Sequence, residues 1–187
     1  GFALLGPFAA VGLYEISRRR ELHINSSWLH AFAVLKSPAI RPIATLGGLL
    51  TGLFIAWLLS AWLLYRWLMG SVPLTTAESF LVPLFTTVNG WTLIIVGNAL
   101  GLLFAITAFS LTVVSFPLML DRHVDIGTAV RTSIAAVEAS PRAMMCWGLT
   151  ITALLVLGTL PVLVGLMVVM PILGHASWHI YRKVVPR

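Results

Sequence analysis

Residues 43–65, IATLGGLLTGLFIAWLLSAWLLY, contain no charged side chain. A helix crosses the roughly 30 Å hydrocarbon layer of a bilayer with about 20 mainly apolar residues, so this stretch is long enough to span it. It closes on Trp62, Tyr65, Arg66 and Trp67, the aromatic and basic belt expected where a span meets the headgroups. Working outward, residues 91–120 form a second long apolar run that ends in Asp121-Arg122-His123. Residues 143–173 form a third, interrupted near Gly158-Thr159-Leu160-Pro161.

The rest of the chain agrees with this solvent. Of 187 residues, 59% are hydrophobic and 10% charged, against about a quarter charged in soluble domains. Mean hydropathy is +0.98. The net charge of +6 comes from basic residues scattered between apolar runs. They set topology rather than form a basic face interleaved with aromatics, so no nucleic-acid partner is expected. Cys146 is the only cysteine, which excludes an internal disulfide and a thiolate metal cluster. The chain opens inside hydrophobic sequence, with none of the grammar of a signal peptide, and therefore reads as lacking the N-terminal part of a longer protein.

Charge decides how the third run is used. If it is a hairpin, eleven of the twelve basic residues share one side and Arg66 stands alone opposite. A single crossing would move Arg182, Lys183 and Arg187 and weaken that bias. The hairpin is preferred. The expected architecture is an all-α integral membrane bundle with about five crossings here and about six in a complete protein. The spans fall near 1–16, 43–66, 91–120, 143–159 and 161–181, in a single transmembrane domain over 1–187. Basic loops and the C-terminus would be cytoplasmic.

Two segments between spans are amphipathic. Over 125–139, Ile126, Val130, Ile134 and Val137 fall within about 80° of a helical wheel, opposite Thr128, Arg131, Thr132 and Glu138. Asp125 suits the N-cap, and Ser140 before Pro141 marks a stop. Residues 26–36 have the same layout, with Trp28, Phe32 and Leu35 on one face and Ser37-Pro38 as the stop. Both read as membrane-surface helices suited to anionic headgroups. PFAAVGLYEISRR from Pro7 also aligns without gaps to PILGHASWHIYRK from Pro171, and SFPLMLDRH is a shorter version. The chain thus reads as tandem units of a surface helix and a transmembrane hairpin.

Three blocks, GFALLGPFAAVGLYEISRRRE, SFPLMLDRHVDIGTAVRTSIAAVEASPRAM and PILGHASWHIYRKVV, resemble a family of bacterial predicted integral membrane proteins known only as a domain of unknown function. The resemblance implies an inner-membrane location, an all-helical fold and a longer N-terminal part. It implies no activity, although members are sometimes labelled cytochrome c oxidase subunit I.

A haem-copper core needs several histidines deep in its spans. His23, His30 and His123 lie in interfacial segments and His175 and His179 near the inner end of the last span, so no cofactor is expected. His175 and His179, spaced i and i+4, share a helix face and are weak metal candidates, read first as interfacial polar residues. Glu15 precedes Arg18 and Arg19 by one turn and suits a local ion pair; if the repeats pack symmetrically it approaches His179. Asp121 and Arg122 read as a helix exit with a local pair. Gly97 and Gly101 are four apart and permit close helix approach, and Asn98 could bond across such a contact.

No phosphate loop, nucleophile triad, catalytic carboxylate pair or zinc motif is present in the sequence, so an enzyme is not expected. The reading that results is a scaffold, assembly factor or accessory subunit of a respiratory or photosynthetic membrane complex. Its partners would be the lipid bilayer and other membrane subunits. The alternative is a transporter for a small solute, moving on helices bent at Pro7, Pro117 and Pro171.

Overall fold

A computed structural model describes residues 2–21, 39–70, 76–160 and 164–185. The expected surface helix at 26–36, with His23, Trp28 and His30, lies outside the described residues. Among those described there are eight helices and no strand: α1 (Phe2–Glu21), α2 (Ile40–Met69), α3 (Ala77–Thr86), α4 (Val88–Thr112), α5 (Ser115–Arg122), α6 (Ile126–Ala139), α7 (Pro141–Thr159) and α8 (Leu166–Val184). Three stretches are long and apolar enough to cross a membrane: Ile40–Met69, Val88–Arg122 and Pro141–Thr159. Their large apolar side chains face outward, with Leu59 55%, Leu63 58%, Leu102 61% and Leu149 63% exposed. Such a surface would drive aggregation in water and is the ordinary one against lipid.

The chain divides into two compact units, residues 1–48 with 109–187, and residues 49–108. In the second unit α3 was not foreseen, yet its start is written locally. Thr76 and Ser79 form a reciprocal capping box, and Glu78 sits in the first turn where the helix dipole favours a negative charge. The Asn89 amide donates to the Leu68 carbonyl at 3.0 Å, and the Trp91 indole donates to the Phe85 carbonyl at 3.1 Å, which fixes the turn into α4. Gly90 allows that turn: a Cβ there would lie 2.3 Å from the Leu84 carbonyl oxygen.

In the first unit, the expected single helix over 91–120 is broken at Val113 and Val114. Pro117 is the cause, because its ring has no N–H for the Val113 carbonyl and clashes with it four residues back. The Val114 N–H freed by the break donates to the Ser133 hydroxyl of α6 at 3.2 Å. The α5 helix is about 12 Å long and Ser133 lies a similar distance along α6, so α6 folds back antiparallel on α5. Residues Ser115 to Leu120 are buried, and His123 ends α5 in the left-handed region at φ 51°.

The α6 helix packs by a different face from the one its pattern suggests. Ala129, Ser133 and Ala136 are buried, whereas Ile126, Val130, Ile134 and Val137 are half-buried. The two faces lie about 90° apart round the helix. Only small side chains let α6 approach α5, which leaves the branched strip at the edge of the contact.

After α7 the chain reverses. A Cβ on Gly158 would lie 3.0 Å from Leu166 and 3.1 Å from Val169. Residue 169 would be some 16 Å further along a continuous helix, so that proximity requires a turn. The described helix of the second arm is Leu166–Val184, and residues 161–163, where the sequence reading starts this arm, lie outside the described residues.

Candidate functional site

The most polar buried constellation in the described residues is where α1, α5 and α8 end together. The α1 and α8 helices run parallel: Leu13 faces Gly174, Ser17 meets His175, and Glu21 meets Arg182, so positions advance together along both. Gly174 permits the approach, since a Cβ there would sit 2.8 Å from the Leu13 side chain. One polar rung pairs the Tyr14 and Ser177 hydroxyls. In the next, the Ser17 hydroxyl lies 2.6 Å from His175 Nδ1.

Below them lies an ionic clasp. Arg182 donates from Nη1 and Nη2 to the two carboxylate oxygens of Asp121 at 2.8 and 2.9 Å, and from Nε to Glu21 at 3.0 Å. This is the fork geometry in which a guanidinium is strongest and most directional. Its planar face covers Trp178 at 5.0 Å and Tyr181 at 5.4 Å. Both rings are buried, and their polar tips join the network: the Trp178 indole donates to Glu21 at 2.9 Å and the Tyr181 hydroxyl donates to Asp121 at 2.8 Å. One guanidinium therefore ties three helix ends through two carboxylates and two aromatic rings.

The residues singled out from the sequence are distributed as follows. Glu15 is buried and accepts from Arg18 at 2.9 and 3.1 Å and from Arg19 at 2.7 Å, all within α1. Glu15 and His179 are not brought together; Ser17 and His175 make the contact between the helices at this level, and His179 is exposed. Among the described residues no group of three or more His, Cys, Asp or Glu is placed to hold a metal. The Asp121 carboxylate is aimed at α8 by the kink and pairs with the distant Arg182, and Arg122 is exposed.

In the other unit Gly97 and Gly101 do face α2, towards Leu64 and Trp57, but a Cβ would fit at 3.9 and 3.7 Å. The approach is ordinary side-chain contact, not backbone-tight packing. Asn98 does not bond across it; its amide donates to the Ile94 carbonyl of its own helix at 2.7 Å and is exposed.

Sequence reasoning missed Glu21, Trp178, Tyr181 and Arg182 as a site. The available signal was the i, i+4 spacing of Trp178 and Arg182, which puts an aromatic and a cation on one face. The family model for a predicted integral membrane protein, DUF2189, matches residues 1–121. The chain belongs to that family. The matched part contains Glu21 and Asp121, and their partners on α8 lie beyond it. The comparisons with curated proteins and with solved structures find no match.

Proposed function

We propose that this protein is a non-catalytic structural component of a bacterial inner-membrane assembly, a scaffold or accessory subunit, built from tandem units whose basic exits face the cytoplasm. The observation that carries this reading is the clasp. Its carboxylates, guanidinium and aromatic tips bind one another across three helices, so buried polarity is spent on holding helix ends in register. Outward-facing apolar spans then offer surface to lipids and to other helices. The test is purification from native membranes in a mild detergent with quantitative mass spectrometry. Stoichiometric co-purification with one membrane complex supports the proposal; a lone monodisperse protein from the same membranes refutes it.

A transporter for a small solute is the second reading, favoured by the break at Val113 and Val114 in an otherwise continuous span. Solute uptake by proteoliposomes that is lost on Pro117→Ala would select it over the first.

A further inference from the structure

We infer that the α6 helix and the neighbouring helix ends form a docking surface for anionic phospholipid headgroups. The clasp is what leaves this surface charged. Three buried or half-buried carboxylates, Glu15, Glu21 and Asp121, are consumed by three half-buried guanidiniums, Arg18, Arg19 and Arg182. Among the described residues, Arg131, Arg142 and Lys183 are exposed at this end of the unit, beside the carboxylates of Asp125 and Glu138. Asp125 is already engaged by the Thr128 hydroxyl at 2.7 Å and backbone N–H at 3.0 Å.

Topology gathers these cations. The α1 and α8 helices run parallel, Asp121 at the end of α5 is bound by Arg182 near the end of α8, and the α7 to α8 reversal returns Arg142 to the same end as Lys183. The α6 helix lies between the end of α5 and the start of α7. It has three faces: Ala129, Ser133 and Ala136 against α5, the half-buried strip of Val130, Ile134 and Val137, and a polar face carrying Arg131 and Glu138. An apolar strip flanked by a cation is how an amphipathic helix seats at the acyl boundary while its charge meets phosphate. A phosphate-bearing leaflet fits both features at once, whereas a soluble acidic protein would leave the strip in water.

The test uses the full chain in phosphatidylcholine vesicles containing trace spin-labelled phosphatidylglycerol or spin-labelled phosphatidylcholine. The fraction of motionally restricted label gives the relative association of the two lipids. The expected result is a preference for phosphatidylglycerol, up to roughly fivefold per basic residue at low salt, that weakens as salt screens it. The triple substitution R131Q, R142Q and K183Q should bring the preference to near parity. R66Q, in the other unit, should leave it unchanged. These are exposed positions, and near-wild-type melting of the triple variant checks that it is folded. Equal association of the two lipids with wild type, or an undiminished preference in the triple variant, overturns the proposal. So does the outcome in which the triple substitution abolishes binding of soluble heparin but not of phosphatidylglycerol.

Discussion

Replacing Arg182 by Gln removes the guanidinium that bonds both oxygens of Asp121 and leaves that carboxylate, whose side chain is 13% exposed, with the Tyr181 hydroxyl as a neutral donor. Glu21 loses one charge-assisted bond but retains the Trp178 indole and is 32% exposed, so water compensates part of the loss. The two rings also lose the guanidinium that covers them. Breaking a buried ion pair from one side costs about 3–5 kcal/mol, and the residual exposure of Asp121 places this site at the low end, about 3 kcal/mol. Arg182→Gln should therefore lower the unfolding free energy in mixed detergent micelles by about that amount. Asp121→Asn in the same background should recover part of it, because the stranded charge is then gone. The full double-mutant cycle should return a coupling of about 2 kcal/mol, at the upper part of the range for contacting residues. A loss under about 0.5 kcal/mol for Arg182→Gln, or a coupling near zero, would refute the idea that the clasp holds the three helix ends.

Other outcomes follow from single contacts. Gly90→Ala, which places a methyl 2.3 Å from a backbone oxygen, should cost about 2 kcal/mol or more, whereas Gly97→Ala meets only the Leu64 side chain at 3.9 Å and should be neutral or stabilising by up to about 1 kcal/mol; thermal melts of the two separate them. Ser133→Ala strands the buried Val114 N–H and should cost about 1–3 kcal/mol, with faster amide exchange at Val114 as its local signature. The Thr128 hydroxyl, and next its backbone N–H, hold the Asp125 carboxyl below its ordinary range. Because the folded value is the depressed one, the capping contribution is complete above about pH 4, the ordinary carboxylate value, and fades as pH falls through the lower folded value. Amide exchange at the start of α6 should accelerate in that window, and Asp125→Asn, which still accepts the cap bonds, should flatten the dependence. Asn98→Leu should leave stability unchanged or raised, since the amide bonds only its own helix; a clear loss in a bilayer unfolding assay would show that Asn98 has a partner there.

Local pattern carried a large part of this structure. The apolar runs, Asp125 as a cap and Ser140-Pro141 as the stop of α6 are read from residues that act on their immediate neighbours, through length, missing N–H groups and side-chain caps, whereas the reversal after Gly158 is read from the distribution of basic residues. The Glu15 pair with Arg18 and Arg19 belongs to the same class, since helix spacing alone brings i, i+3 and i+4 together. Tertiary structure alone decided which apolar-looking faces became contacts. A helical wheel ranks α6 by hydrophobicity, but two helices approach by the smallest side chains available, so Ala129, Ser133 and Ala136 took the contact and Val130, Ile134 and Val137 were left beside it. The same holds for Asp121 and Arg182, sixty-one positions apart: only the kink at Pro117 and the parallel run of α1 and α8 set them within 2.8 Å. Sequence determined that this chain is helical and built for a membrane, because length and polarity act locally. The assignment of its few charges to one another depended on helix ends meeting in space, which no local spacing encodes.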